Sequence, residues 1–259
     1  MPSPQPWEVG DEDERWRGYL DPSTGLPGRE DTWILRNNVG ARTWDQLRER
    51  EDEAVEIRAL TMPSYGIPAT YDLDGLRAIH GHLFQDVYEW AGQVRTVDIA
   101  KGEPFLPPEA IGRAMDVVAE TITATDKLRT VPEAEYAGSL ARLYHVVNVA
   151  HPFREGTGWT QREFITALAA ESGHTVDWTR VTGPVNDAAS YRARQGDLGP
   201  LVGMFQTVVD KPTPAALPPS VGASFPGRAT QATGYATGQA APADRYRPPS
   251  PEKGAGSER

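Results

Sequence analysis

Apolar residues recur at helical spacing along most of the chain. Leu76, Ile79, Leu83 and Phe84 mark one stripe, and Ile111, Met115, Val118 and Ile122 a second. Leu140, Leu143, Tyr144 and Val147 form a third; Phe164, Ile165, Leu168 and Ala169 form a fourth. Spacings of three and four place each set on one face of a helix. The ends are marked as well. Asp72 or Asp74 can cap the first helix, Pro107 and Pro108 start the second, Pro132 and Glu133 open the third, and Ser172-Gly173 ends the fourth. Upstream, Thr43 is placed to cap a charged helix running through Leu60, with Leu47, Ala54, Ile57 and Leu60 facing inward. Two further helices are expected at about 185–194 and 197–209, separated at Gly196.

One stretch breaks this rhythm. Between Gly92 and Gly102 the β-formers Val94, Val97 and Ile99 predict a short, exposed β-hairpin, the only strand-like part of the chain. Two strands make no sheet worth burying, so the hairpin is expected to lie over something. The fold class read from this pattern is all-α, with one helical core over residues 31–209. Residues 1–30 are rich in Pro, Gly and acid and read as an irregular lead-in, pinned to the domain by Trp7, Trp16 and Tyr19. Residues 210–259 are rich in Pro, Ala and Gly with almost no large aliphatics. Such a tail cannot offset its ordering entropy and is expected to be disordered.

Composition narrows the function. Lys and Arg number 26 against 36 Asp and Glu, a net charge of −10, which argues against a dedicated nucleic-acid binder. The absence of cysteine excludes disulfides, thiolate zinc sites and cysteine nucleophiles, and suits a reducing compartment. No apolar run approaches the ~20 residues needed to span a bilayer. The acidic N-terminus lacks the apolar segment of a secretory signal, so a cytoplasmic location is expected, with delivery into another cell left open.

The chemistry concentrates between two helices, at His151-Pro152-Phe153-Arg154-Glu155-Gly156-Thr157-Gly158-Trp159-Thr160-Gln161-Arg162. Pro152 ends the preceding helix and leaves His151 at a helix C-terminus, where the dipole modestly favours imidazolium. As the side chain able to accept a proton near neutral pH, His151 is the candidate general base. Glu155 is a single loop carboxylate, the stoichiometry of Mg²⁺ bound together with a nucleotide. A zinc pair of His151 and Glu155 would need one helical face, which Pro152 and Gly156 interrupt. His80 and His82, two residues apart on a helix, cannot share a metal and read as core or surface histidines. Gly156 and Gly158 allow a tight turn, with Thr160 opening the next helix. The N–H groups there, with those of Thr157 and Trp159, form a candidate anion cradle that Arg162 can reach.

These residues resemble the signature of the Fic family, His-Pro-Phe-x-(Asp/Glu)-Gly-Asn-Gly-Arg-x-x-Arg. The likeness extends to Leu83-Phe84-Gln85-Asp86-Val87-Tyr88-Glu89-Trp90-Ala91-Gly92, to Arg95 through Gly102, and to Gly196 through Leu201, covering roughly residues 30–209. The resemblance implies a helical Fic core with a hairpin flap over the active site, and transfer of AMP from ATP to a Ser, Thr or Tyr hydroxyl of a target protein. By carry-over, His151 deprotonates that hydroxyl and Glu155 holds Mg²⁺. Gly156, Thr157, Gly158 and Trp159 cradle phosphate, and Arg162 engages the γ-phosphate. The flap residues Thr96, Val97, Asp98, Ile99 and Lys101 would dock the target by strand addition.

Two positions depart from the signature: its Asn is Thr157 and its first Arg is Trp159. Thr keeps a hydroxyl, but Trp offers one neutral donor and no charge. Losing a charge-assisted phosphate contact costs ~1.5–3 kcal/mol, about 10- to 100-fold. Altered or weakened nucleotide handling is therefore expected. The alternatives are a catalytically impaired binding module and transfer of another group, such as phosphocholine, UMP or a γ-phosphoryl. The family's inhibitory pattern, (Ser/Thr)-x-x-x-Glu-(Gly/Asn), is not found in this chain. If the protein is a regulated toxin, its antitoxin would be a separate small protein.

Overall fold

The computed structural model describes residues 4–62 and 70–211. Of the tail expected to be disordered, 210–259, residue 210 lies in a strand and the residues from 212 onward, like most of the Pro/Gly break before Asp72, lie outside the described residues. Eight α-helices carry the described fold: α1 (Glu12–Gly18), α2 (Trp44–Thr61), α3 (Leu73–Phe84), α4 (Pro108–Ala124), α5 (Glu133–Ala150), α6 (Thr157–Glu171), α7 (Gly183–Arg194) and α8 (Gly199–Val208). Helix α5 is central and packs against α4, α6, α7 and α8, while α3 packs on α6 and α2. The four apolar stripes read from the sequence are the buried faces of α3 to α6.

Thr43 caps α2 through the Gln46 N–H, as expected, but the inward face is rotated. Leu47, Val55 and Ala59 are buried, whereas Ile57 and Leu60 are 57% and 58% exposed. The buried row runs in steps of four through Glu51, and that carboxyl breaks the apolar pattern. It accepts a hydrogen bond from the Tyr88 hydroxyl, and desolvation raises its pKa to about 8. Within the stretch read as an irregular lead-in, α1 forms behind a capping box: Asp11 accepts from the Glu14 N–H and Glu14 accepts from the Asp11 N–H. Trp7 and Tyr19 flank α1 and pack in the core against Trp90.

The strands are shorter and more numerous than expected. Antiparallel pairs join β1 (Leu20–Asp21) to β2 (Ile34–Leu35), β3 (Ala100–Lys101) to β4 (Glu103–Pro104), and β5 (Thr175–Val176) to β6 (Val209–Asp210). Two-residue strands carry no alternation that a period-2 reading can detect. The hairpin expected between Gly92 and Gly102 is instead the pair β3–β4, for which Gly102 (φ +73°) is the turn and not the end. Val97 and Ile99, expected on an exposed hairpin, are fully buried.

That burial follows from Arg95, which is 2% exposed. Its Nε donates to the His151 carbonyl (2.8 Å) and Nη1 to the Val97 carbonyl (2.7 Å). Nη2 donates to the carbonyls of Ala150 (3.2 Å) and Leu106. The Arg95 N–H adds a bond to the Pro152 carbonyl at 2.9 Å. One cation thus caps the C-terminus of α5 and ties to it both segments flanking the hairpin. Replacing Arg95 with Met would leave several buried carbonyls unpaired, each costing ~1–3 kcal/mol. A loss of roughly 2–5 kcal/mol in urea unfolding is expected, and an unchanged midpoint would show that those carbonyls find other donors.

Candidate active site

The loop from His151 to Gly156 is held on both sides. His151 is the C-cap of α5 in the left-handed region (φ 41°, ψ 64°), and its ring stacks on Phe105 with centroids 3.9 Å apart. Its Nδ1 is buried, and the residue as a whole is half-buried. Burial, and after it the nearby Arg95 guanidinium, lower its pKa to about 3, with the Asn148 carbonyl acting in the opposite sense. The expected stabilisation of imidazolium by the helix dipole is therefore overturned. The C-terminal carbonyls that would supply it are already taken by Arg95, whose positive charge repels a second.

His80, on α3, braces the loop from behind. Its Nδ1 accepts from the Gly92 N–H at 2.7 Å, so Nε2 carries the proton and donates to the Glu155 carbonyl at 3.0 Å. The ring lies between Phe153 (4.0 Å) and Phe84 (4.7 Å), and desolvation lowers its pKa to about 3. It is a core histidine whose two hydrogen bonds fix loop backbone. Gly156, at φ +78°, rests on the Phe84 ring, where a Cβ would come within 2.3 Å of carbon. Both its backbone conformation and its neighbour demand glycine.

Helix α6 begins at Thr157, one turn earlier than expected, with Gly156 as its N-cap and hence no N-cap side chain. The candidate anion cradle is thus a helix N-terminus, with aligned donors and a positive dipole end. Gly158 has open space where a Cβ would stand. Thr157 does not face that space. It is buried, and its hydroxyl is 3.3 Å from the Phe153 N–H and 3.4 Å from the Phe153 carbonyl. Trp159 is half-buried against the core. Arg162 is half-buried one turn on, its guanidinium 5.7 Å from the Trp178 ring centre.

Glu155 keeps 24% of its side chain exposed. Desolvation raises its pKa, and the Arg154 guanidinium, bonded to its Oε1, pulls it back down. A partly open, hard oxygen ligand beside a helix N-terminus fits a divalent cation carried by phosphate. Among the described residues no group of three or more His, Asp or Glu converges as a metal site, so phosphate oxygens would have to complete the coordination.

The flap residues divide. Thr96 bonds the Trp7 carbonyl and Tyr19, Asp98 receives Glu12 on its N–H, and Val97 and Ile99 point into the core. Lys101, on β3, pairs with Asp187 of α7 at 3.0 Å and acts electrostatically on both His151 and Glu155. Arg194 of α7 donates to the Pro104 carbonyl and lies 4.7 Å over Phe105. Arg95, His80, Arg154 and Arg194 were not among the expected site residues. The signal for Arg95 was a charge set within the β-forming run Val94–Ile99.

Among the described residues no helix is long and apolar enough to cross a membrane. The Fic/DOC family model matches residues 70–169. Protein adenylyltransferase VbhT of Bartonella schoenbuchensis is 33% identical over 69% of this chain, although the match spans 36% of that protein's length. The probable protein adenylyltransferase Fic of Escherichia coli K12 is also 33% identical, over 69% of this chain and 88% of its own. Among solved structures, the N-terminal Fic domain of a VirB-translocated Bep effector from Bartonella quintana, with bound ADP, superposes with a TM-score of 0.64. It is 26% identical, covering 69% of this chain and 91% of that one. With its helical core, its flap and this loop in place, the chain belongs to the Fic/DOC family.

Proposed function

We propose that the chain transfers AMP from ATP to a Ser, Thr or Tyr hydroxyl of a target protein. The carrying observation is a half-buried imidazole with lowered pKa, set one short loop before a helix N-terminus whose N-cap is Gly156. The hydroxyl oxygen forms a bond to the α-phosphorus, the bond to the bridging oxygen breaks, and pyrophosphate leaves. The hydroxyl proton passes to Nε2 of His151, whose basicity rises as the triphosphate brings negative charge to the site. First-turn N–H groups of α6 hold phosphate oxygens, and Arg162 would have to leave the Trp178 face to reach the terminal one. Mg²⁺, held by Glu155, would neutralise charge on the phosphates. Of the flap residues, Lys101 would meet the target segment, its charge acting on both His151 and Glu155. Named adenylyltransferases among the relatives and the ADP complex of a structural neighbour support this reading.

The side chains at the two departures favour a second reading, a nucleotide-binding Fic fold with little turnover. Thr157 spends its hydroxyl inward and Trp159 packs on the core, and neither carries the charge of the signature's arginine.

Incubation with Mg²⁺ and α-labelled ATP should label the protein itself or a lysate protein, and His151→Ala should erase that label. Label from γ-labelled ATP alone would redirect the assignment to phosphoryl transfer. Trp159→Arg should increase labelling or nucleotide affinity by about 10- to 100-fold, the range of one charge-assisted phosphate contact. Silence in both backgrounds would favour the binding module.

The pH dependence follows from His151. Its neutral form is the competent base, and a folded-state pKa of about 3, against the ordinary 6.5, keeps it neutral far into acid. The free-enzyme profile, kcat/KM, should therefore show no acid limb near 6.5. A tenfold fall per unit beginning there would contradict a neutral His151, since His80, the histidine bracing the loop, is also lowered to about 3.

A further inference from the structure

We propose that Trp16, in the N-terminal segment, is a positioning residue for the Mg²⁺ carboxylate: its indole face seats Arg154, and Arg154 orients Glu155. This rests on Glu155 being the metal ligand of the proposed transferase.

Arg154 is 1% exposed, an unusual place for a guanidinium. Its Nη1 bonds Glu155 Oε1, its Nε has no hydrogen-bond partner, and its carbon centre lies 4.5 Å from the centre of the Trp16 ring. The indole thus covers the cation where hydrogen-bond donors are left over, which is how aromatic faces hold desolvated guanidinium groups. Arg154 takes only one oxygen of Glu155, so it anchors the carboxylate without closing it to a metal. Outer contacts of this kind set the direction of a ligating oxygen.

Trp16 is itself rigidly held. Its helix α1 has the Asp11–Glu14 capping box, and it grips the segment before the hairpin at two points. Arg15 Nε donates to the Thr96 carbonyl at 3.0 Å, and Glu12 Oε1 accepts from the Asp98 N–H at 3.2 Å. The family model begins at residue 70, so this support for the motif loop comes from outside the matched region.

The test uses the full chain and calorimetric titration with a non-hydrolysable ATP analogue, in Mg²⁺ and in EDTA. Trp16→Leu keeps apolar volume but removes the π face. Affinity in Mg²⁺ should fall about 3- to 30-fold, the span of a cation–π contact, while affinity in EDTA stays level. Trp16→Phe should recover part of the loss, and it carries the test alone if Trp16→Leu does not fold. Equal affinities in wild type and variant overturn the proposal. So does a loss of the same size in both media, which would mean general packing. A wild type that binds the analogue with no Mg²⁺ dependence would instead overturn the reading of Glu155 as the metal ligand, and this inference with it.

Discussion

A single buried guanidinium joins the two halves of the active site. Arg95 gathers carbonyls from Val97, Leu106, Ala150 and His151, three separate segments, around one charge. A helix C-terminus normally leaves its last carbonyls to water or to a glycine turn. Here they serve as the seat of a cation that also pins the hairpin's approach strand. His151 can then hold a left-handed backbone, a cost of ~1–2 kcal/mol for a residue with a Cβ, because its neighbours over-determine it. Desolvation lowers the imidazole's pKa most, and the same charge adds to that lowering. Arg95 thus bears on both the backbone geometry and the acid–base state of His151.

Behind the loop, His80 plays a complementary part. With Nδ1 accepting from Gly92 and Nε2 donating to Glu155, its tautomer is set by two backbone groups. The aromatic stack of Phe84, His80 and Phe153 leaves the loop no room to slide, and Gly156 seals it against Phe84. Positions held this firmly need no reorganisation when charge develops, which is where such sites gain most of their effect.

The helical frame was legible because four apolar stripes repeat at helical spacing and helix starts are marked by Thr43 for α2, Asp72 for α3, Pro107 for α4 and Pro132 for α5. The central motif was legible from residue order alone, which placed base, acid and glycines in one loop. What stayed hidden were buried charges. Glu51, Arg95 and Arg154 read as surface residues until their partners are known, and those partners are distant in sequence or are backbone carbonyls, which no side-chain pattern reports. Glu51 also rotated the reading of α2, since its carboxyl occupies the inward row. The hairpin was misplaced for the related reason that Val97 and Ile99 are apolar to fill the core beside Arg95, not to build a strand.

The departures at Thr157 and Trp159 act on one layer of the site only. Everything that sets position survives: the Arg95 joint, the His80 brace, the Phe84 contact of Gly156 and the open face of Gly158. The donors of the α6 N-terminus are backbone N–H groups, so no substitution short of proline can remove them. Thr157 even strengthens the frame by bonding the Phe153 backbone. In the proposed transferase, Trp159 in place of Arg subtracts one charged phosphate contact, worth about 10- to 100-fold, and Thr157 in place of Asn subtracts reach. Catalysis that depends on placement and backbone dipoles should lose rate under such changes before it loses its chemistry, since the groups that define the chemistry are elsewhere in the loop.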